Sequence, residues 1–313
     1  MAEASVIVTV KNEEKTIIQL LRSLQNQSLK PCEIILVDGG SKDKTIENIK
    51  SFAGSDSSFK IISANGANRS KGRNIGISAA SSDIIACTDA GVVLDRHWLE
   101  SLVKPLVNGD AEFVAGVYVQ SGESLLQKCI GILQYPNLGK LDSTFLPSSR
   151  SVAFKKSVWK AVGGYPEHLE KAEDTYFDLM VRERDFKVVL AKDAVVFWPA
   201  RDSLRNLFLQ YSSYAEWDVR GGLYLKLKIY RLMVLAYVFS AFSIFLIFKF
   251  GSWGFISPFL IVLAYLVHAG LKALKRTGKI SAFFLAMTIK VTVFLAETFG
   301  LMKGIINRVQ KRK

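Results

Sequence analysis

Apolar runs rich in β-branched residues alternate with amphipathic stretches in the first part of the chain. The apolar runs occupy residues 5–10, 33–38, 59–64 and 83–89. Between them, apolar residues recur three or four positions apart, which is the spacing of one face of a helix. Nearly continuous apolar strands separated by helices indicate a parallel sheet that is covered on both faces. The pattern therefore predicts an α/β fold, Rossmann-like, with a mainly parallel sheet.

Polar residues stand at the ends of three of the predicted strands, at Thr9, Asp38 and Asp89. Parallel sheets bind ligands outside the carboxyl ends of their strands, so we expect one hydroxyl and two carboxylates to face a common crevice. In the alternative interpretation, the two aspartates only cap the helices that follow them.

A basic, glycine-containing segment, SKGRN, precedes the fourth apolar run and contains Lys71 and Arg73. Carboxylates next to such a segment suit a phosphate compound that is bound by a metal ion or by arginine. We therefore expect Lys71 and Arg73 to meet diphosphate oxygens. The alternative is that both cations belong to a solvated loop.

Residues 111–200 are less regular, but no change of composition separates them from the first part of the chain, so we interpret residues 1–200 as one domain. Within this stretch, Glu173 and Asp174 precede a helical pattern. Asp174 either caps that helix, with Glu173 favourable near its dipole, or acts as a general base toward a hydroxyl group. The spacing leaves both roles open.

Beyond residue 200 the chain becomes more apolar and more basic. Residues 201–231 place aromatic and basic residues at roughly helical spacing, which is typical of a juxtamembrane amphipathic helix. Residues 232–248 and 250–271 are then uncharged runs of 17 and 22 residues. Each is near the ~20 residues that a helix needs to cross a bilayer. We predict a transmembrane hairpin at residues 232–271.

A third apolar run, at residues 280–302, is interrupted by Lys290 and Glu297. The loop before it and the tail after it are both basic, and basic segments favour the cytoplasmic side of a membrane. They can share that side only if the run between them does not cross. We therefore expect residues 272–313 to form a basic loop, an interfacial helix and a basic tail.

The charge distribution supports this division. The formal net charge is +13, yet the chain carries 24 basic and 24 acidic residues up to Trp198, against 17 and 4 after it. Because the excess lies beside the longest apolar runs, it indicates membrane anchoring and argues against nucleic acid as a partner. The three cysteines and three histidines are scattered, so the sequence indicates neither a disulfide framework nor a zinc site. The first residues lack the pattern of a secretory signal, so we expect a multi-pass protein of the cell membrane with its first domain in the cytoplasm.

Five segments in order resemble the motifs of the family 2 glycosyltransferases, which have the GT-A fold. They are SVIVTVKNEE, LVDGGSKDKT, GRNIG, DIIACTDAGVVLDRHWLE, and SSRSVAFKKSVWKAVGGYPE followed by AEDTYF, and they extend over about residues 4–200. Co-linear motifs are far more specific than any single one. The resemblance implies an enzyme that takes a sugar from a nucleotide-sugar donor with inversion at the anomeric carbon.

The resemblance also implies roles for individual residues. Thr9, Glu13 and Asp38 would hold the nucleotide, and Arg73, with Lys71 beside it, would lie close to it. Asp89, the first acid of the D-x-D motif, would face the sugar diphosphate and its Mg²⁺ or Mn²⁺. Asp174 would be the base that deprotonates the acceptor hydroxyl, and Glu173 would stand beside it.

Two positions depart from the family pattern. The D-x-D motif reads Asp89-Ala90-Gly91, and Trp198 replaces the histidine that often follows the last strand. We therefore expect metal binding to depend on Asp89, the diphosphate and water. The Q-x-x-R-W motif of processive synthases is absent, which favours a single transfer.

The leading hypothesis is thus a membrane-anchored glycosyltransferase that acts on a hydroxyl of a lipid or lipid-linked saccharide at the cytoplasmic membrane face. One alternative is a polyprenyl-phosphate sugar synthase, whose phosphate acceptor needs no strong base. Another is a non-catalytic nucleotide-sugar-binding membrane protein, which the replacements at Gly91 and Trp198 motivate. A transporter is less favoured, because two spans enclose too little of a pathway at membrane depth.

Overall fold

The computed structural model describes residues 3–135, 138–142, 145–224, 226–227 and 256–310, together with a few single residues between positions 238 and 249. The chain divides into two compact units. The first comprises Met1–Ser121 and Pro136–Pro199, and the second comprises Gly122–Tyr135 and Ala200–Lys313. The sequence predicted one domain over residues 1–200, whereas the structure groups residues 122–135 with the C-terminal unit.

The first unit contains an eight-stranded mixed sheet with the strand order β3-β2-β1-β4-β7-β6-β8-β5. The strands are β1 (Ser5–Val10), β2 (Glu33–Asp38), β3 (Phe59–Ser63), β4 (Ile84–Asp89), β5 (Val93–Leu94), β6 (Phe113–Ser121), β7 (Val152–Lys155) and β8 (Val188–Pro199). Strands β1 to β4 are mutually parallel, as the sequence predicted. In the second half of the sheet, β7 is antiparallel to both β4 and β6, and β5 is antiparallel to β8. The sheet is therefore parallel only in part.

The described helices are α1 (Ile17–Gln25), α2 (Thr45–Ala53), α3 (Arg69–Ala79), α4 (Trp98–Val107), α5 (Leu125–Gln134), α6 (Lys156–Val162), α7 (Glu173–Arg182), α8 (Leu204–Arg220), α9 (Ile256–Thr277) and α10 (Ile280–Gln310). Helices α5 and α8 to α10 belong to the second unit, and the others belong to the first.

Helices cover both faces of the sheet, as expected for apolar strands. Because successive side chains of a strand point to opposite faces, Val8 of β1 packs in the layer with α1 and α4, and Ile7 packs in the layer with α3 and α7. Aromatic rings fill the second layer, where Phe177 of α7 contacts Phe154 and Tyr165. The two layers bury the faces of the sheet against the helices. The residues at the strand ends lie outside these layers and can form a site.

Two glycines let α3 lie very close to β1. A Cβ atom at Gly72 would come within 2.9 Å of Thr9 Cγ2, and one at Gly76 would come within 2.6 Å of Ile7 Cγ2. Real Cβ atoms do not approach so closely, so larger residues at either position would push the helix away from the sheet. Arg73 follows Gly72 directly, and this close packing carries it to the carboxyl end of the sheet.

In the second unit, α10 buries a stripe of small and β-branched residues against α5, α8 and α9. The stripe consists of Ala282, Ala286, Ile289, Val293, Ala296, Gly300 and Gly304. A Cβ atom at Gly300 would lie 2.0 Å from the carbonyl oxygen of Ser212, and one at Gly304 would lie 2.8 Å from that of Glu216. The small residues therefore allow the backbones of α8 and α10 to approach closely.

Among the helices that the structure describes, α10 is long and apolar enough to cross a membrane, by length and composition. The sequence analysis predicted the crossing elsewhere, in a hairpin at residues 232–271. The first arm of that hairpin lies mostly outside the described residues, and part of the second arm forms α9. The predicted amphipathic segment at residues 201–231 contains α8, which packs against α10 within the second unit.

Candidate active site

The ends of β1, β2 and β4 bring three predicted residues to one edge of the sheet. In the strand pairing, Thr9 is the partner of Asp89, and Val10 is the partner of Asp38. The three strands are neighbours and run in the same direction, so their carboxyl ends converge. The strand pattern of the sequence predicted this placement.

Arg73 is the centre of a buried ion-pair cluster at this edge. Its Nη2 donates to Asp89 Oδ1 over 2.5 Å, and its Nη1 donates to Glu173 Oε1 over 2.8 Å. Only 2% of the Arg73 side chain is exposed, and its guanidinium lies 5.2 Å from the centre of the Tyr165 ring. A buried guanidinium is tolerated only when it is paired, and two carboxylates provide that here.

The cluster shifts the acidity of its carboxylates in opposite directions. Burial raises the pKa of Asp89, but Arg73 and then Arg150 outweigh burial and hold that pKa at about 2. Burial and the neighbouring Asp174 raise the pKa of Glu173, and Arg73 offsets this only in part. Asp89 is therefore the firmly ionised carboxylate of the cluster.

The two predicted cations do not lie in a loop. Helix α3 begins at Arg69, and the Asn68 side chain caps it by accepting from the Lys71 backbone N–H. Consequently Arg73 points into the ion-pair cluster, whereas Lys71 is exposed on the first helical turn. Of this pair, Arg73 alone contacts Asp89, and the interpretation as a solvated loop is wrong.

Glu173 and Asp174 begin α7, but neither caps it. The capping position is Ala172, which has a φ of +62° and makes no side-chain capping bond. Asp174 instead accepts from Ser148 Oγ through Oδ2, over 3.0 Å, and its carboxylate is half-buried, whereas Glu173 is buried. The capping role considered for Asp174 is therefore wrong, and Asp174 is the more accessible of the two acids.

The side chains of Asp38 and Glu13 each accept hydrogen bonds from a residue three positions later in the chain. Asp38 accepts from the backbone N–H and the hydroxyl of Ser41, over 3.0 and 2.6 Å. It does not cap α2, which begins later at Thr45. Glu13 Oε2 accepts from Thr16 Oγ1 and also lies 3.4 Å from the position that a Cβ atom would occupy at Gly91. The structure thus brings Glu13 beside the end of β4, apart from the Arg73 cluster.

Arg150 is a further residue of the site that was not predicted from the sequence. This side chain donates from Nη1 to Ser148 Oγ over 2.8 Å, and its Nε lies 3.6 Å from Asp89 Oδ2. Its guanidinium carbon lies 4.1 Å from the centre of the Trp198 ring. The strand topology explains this placement: Arg150 lies two residues before β7, and the antiparallel β7 starts near the end of β4. The short segment SSR gave no periodicity from which that direction could be predicted.

A further acid, Asp178, lies one helical turn after Asp174. Its side chain is buried, and its Oδ2 has no hydrogen-bond partner among the described residues. Burial, and after it the charge of Asp174, raises the pKa of Asp178 well above its usual range. The fold therefore favours the neutral form of this acid beneath the cluster.

The residues around Asp89 do not build a metal site from side chains. Mg²⁺ and Mn²⁺ prefer several oxygen ligands, yet the two oxygens of Asp89 face Arg73 and Arg150. Within the described ranges, no group of three or more histidine, cysteine, aspartate or glutamate residues is arranged to hold a metal ion. The donor set therefore does not fit the divalent cation that the family resemblance implies.

Comparison with known proteins finds a family match in the first part of the chain. Residues 5–139 match the sequence profile described as "Glycosyl transferase family 2". The chain is 29% identical to the glycosyltransferase GlyG of Streptococcus pneumoniae over 38% of its own length and only 40% of GlyG. It is 24% identical to the probable glycosyltransferase YdaM of Bacillus subtilis, over 95% of this chain and 76% of YdaM.

A solved structure shares the fold. The mannosyltransferase PcManGT from Pyrobaculum calidifontis, in complex with GDP-Man and Mn²⁺, superposes with a TM-score of 0.62 at 17% identity. The superposition covers 97% of this chain and 87% of PcManGT. The likeness supports a mixed α/β fold of the GT-A type.

Proposed function

We propose, from the match of residues 5–139 to the family 2 glycosyltransferase profile, that this chain is an inverting glycosyltransferase. It would move a sugar from a nucleotide-diphosphate sugar to a hydroxyl acceptor. The observation that carries the proposal is the convergence of Asp89, Arg73 and Asp174 at the carboxyl edge of the parallel strands. PcManGT, which has the same fold, binds GDP-Man, and this supports a nucleotide-sugar donor.

The proposed donor site follows the ends of the strands. Thr9, Glu13 and Asp38 would hold the nucleotide beside β1 and β2, with Lys71 on the first turn of α3. Asp89 would lie next to the sugar diphosphate. Because Arg73 is buried and its Nη1 and Nη2 atoms bond to two carboxylates, its role would be to hold Asp89 and Glu173 in place, and not to bind phosphate itself.

Asp174 would be the general base. The acceptor oxygen attacks the anomeric carbon as the bond from that carbon to the diphosphate breaks, and the configuration inverts. The acceptor proton passes to Asp174, and the nucleoside diphosphate leaves with the bonding electrons. The hydrogen bond from Ser148 holds the carboxylate in one orientation, which a base needs. We assign no step to Mg²⁺ or Mn²⁺, because the side chains at Asp89 do not fit a metal site.

The proposed acceptor is a lipid or lipid-linked saccharide at the cytoplasmic face of the membrane. Helices α9 and α10 expose many large apolar side chains, among them Leu260, Ile261, Val262, Phe284, Phe294, Leu295, Phe299, Ile305 and Ile306. Water-soluble surfaces rarely expose so extended an apolar face. Basic residues border it, including Lys272, Lys275, Arg276 and Lys279, as expected next to anionic headgroups.

The substitution Asp174→Asn tests the proposal. It keeps the size of the side chain and removes the base, so turnover should fall by about 10²–10⁴ while donor binding persists. Turnover is measured as release of nucleoside diphosphate with a lipid extract as acceptor, and donor binding is measured as a thermal shift. Asp83→Asn, at an exposed turn, is the matched control and should leave both unchanged.

Two results would contradict the proposal. Unchanged turnover in Asp174→Asn would show that Asp174 is not the general base. It would favour a phosphate acceptor, as in a polyprenyl-phosphate sugar synthase. Donor binding without any turnover in the unmodified chain would favour a non-catalytic nucleotide-sugar-binding protein.

A further inference from the structure

The structure gives a local reason for each of the two departures from the family pattern. At the first, Gly91 has a φ of +79°, a conformation that strains residues with a Cβ atom. A side chain there would also meet Glu13, 3.4 Å away. An aspartate at position 91 would therefore be strained and would face a like charge. The local backbone explains why the second acid of the motif is missing.

At the second departure, Trp198 acts as a platform for Arg150. The guanidinium carbon lies 4.1 Å from the centre of the Trp198 ring and 5.9 Å from that of Tyr118. Such cation–π contacts are strongest with tryptophan and fix the plane of a guanidinium group. A histidine in place of Trp198 would provide a metal ligand but a smaller platform.

The Trp198 ring holds the Arg150 guanidinium close to Asp89 Oδ2. The distance of 3.6 Å from Arg150 Nε to Asp89 Oδ2 is longer than a hydrogen bond, and 15% of the Arg150 side chain is exposed. Arg73, in contrast, is buried and bonded to two carboxylates. Arg150 is therefore a cation that an incoming anion can reach beside Asp89.

The charges of the cluster require such a cation. Asp89, Glu173 and Asp174 bring three carboxylates to the site, and Arg73 is already shared between two of them. A diphosphate would add further negative charge. A planar guanidinium matches phosphate oxygens with paired hydrogen bonds, so Arg150 suits this ligand by geometry as well as by charge.

We propose that Arg150, stacked on Trp198, binds the diphosphate of the nucleotide-sugar donor in place of the metal-bound acid and histidine that this chain lacks. The inference rests on the proposed function. It makes donor binding largely independent of divalent metal. Since Arg150 also donates to Ser148, which donates to Asp174, the same side chain would link the donor diphosphate to the orientation of the base.

The test uses the full chain in detergent and measures affinities by titration calorimetry. UDP, GDP and dTDP are profiled first, and the tightest binder is compared with its monophosphate, with EDTA and with Mn²⁺. The unmodified chain should bind the diphosphate in EDTA. Arg150→Gln should weaken diphosphate binding by about ten- to hundredfold, the effect of losing a charge-assisted hydrogen bond, and should leave monophosphate binding nearly unchanged.

Three further variants sharpen the test. Arg150→Lys keeps the charge without the planar fork and should lie between the unmodified chain and Arg150→Gln. Trp198→His should make diphosphate binding stronger with Mn²⁺ than with EDTA. Arg22→Gln, at the exposed end of α1 that leads away from the site, is the matched control and should bind as the unmodified chain does.

The outcomes separate this inference from the proposed function. Equal losses of monophosphate and diphosphate affinity in Arg150→Gln, or no loss, would overturn the inference and leave the donor site in place. Binding of the diphosphate only with Mn²⁺ would also overturn it. Failure of the unmodified chain to bind any nucleotide would instead refute the proposed function. Melting of each unliganded variant shows whether it is folded.

Discussion

Replacement of Arg73 by methionine tests the buried ion-pair cluster most directly. Methionine keeps a long, unbranched apolar chain but removes the charge between Asp89 and Glu173. Their side chains are only 14% and 5% exposed, so neither carboxylate gains much water when its partner is lost. Removing one member of such a buried pair is strongly destabilising, because the remaining charges are left uncompensated.

The magnitude follows from burial and from the pKa of Asp89. Loss of one buried partner costs about 3–5 kcal/mol of unfolding free energy. The pKa of Asp89 is lowered from 3.8 to about 2, and a difference of about two pKa units corresponds to about 2–3 kcal/mol, in line with that range. Because the folded-state pKa is the lower one, this stabilisation is present above about pH 4 and is lost as the pH falls toward 2. Arg73→Met should therefore cost more at pH 7 than at pH 3.

Urea unfolding of the full chain in detergent, followed by tryptophan fluorescence, measures the difference at both pH values. Arg22→Met, an exposed arginine in α1, is the matched control and should change stability by at most about 0.5 kcal/mol. The double variant Arg73→Met/Glu173→Gln should be more stable than Arg73→Met alone, because one of the unpaired charges is gone. A cost below about 1 kcal/mol for Arg73→Met, or a less stable double variant, would refute the reasoning.

Two other predictions concern the acid beneath the site and the end of the chain. Burial and then Asp174 raise the pKa of Asp178, so its contribution to stability is lost as the pH rises above the unfolded-state pKa. Asp178→Asn should therefore raise the melting temperature relative to the unmodified chain more at pH 8 than at pH 4, and a gain that is independent of pH would contradict this. A tag placed after Lys313 should resist protease in sealed right-side-out vesicles and be cleaved once detergent is added. Cleavage in the sealed vesicles would place the C-terminus outside.

The half of the fold that follows local rules could be predicted from the sequence. Apolar runs identified β1 to β4, and the convergence of parallel strand ends placed Thr9, Asp38 and Asp89 at one edge. The direction of β7 could not be predicted, because a four-residue apolar strand looks the same whichever way it runs. Since that direction brings Arg150 to Asp89, the arginine was missed with it.

The start of α3 was misjudged for a related reason. The segment GRNIG contains two glycines, and glycine weakens an isolated helix by about 1 kcal/mol. A loop around Lys71 and Arg73 was therefore the alternative interpretation of the sequence. In the fold, Gly72 and Gly76 are the residues that fit against Thr9 and Ile7, so tertiary packing outweighs the local preference. The burial of Arg73 is a consequence of that packing.

In the structure, the charged side chain of Lys290, in the third apolar run, contacts protein. In the sequence, Lys290 and Glu297 interrupt the apolar run at residues 280–302. In the second unit, Lys290 Nζ donates to the carbonyl oxygen of Leu133 at the end of α5, over 3.2 Å, and lies 5.9 Å from the centre of the Tyr265 ring. Its charged end thus faces protein, while Phe294 and Phe299 on α10 are exposed.

This arrangement is the reverse of that in a water-soluble helix, which buries its apolar side chains and exposes its charges. In a membrane, ionisable side chains of a helix instead face neighbouring helices and pair there, and lipid covers the apolar face. Lys290 faces protein in this way, and the small-residue stripe from Ala282 to Gly304 is of the kind that packs helices together in lipid. The proposed lipid-linked acceptor thus gains its support from the second unit, whose exposed face requires a partner as apolar as itself.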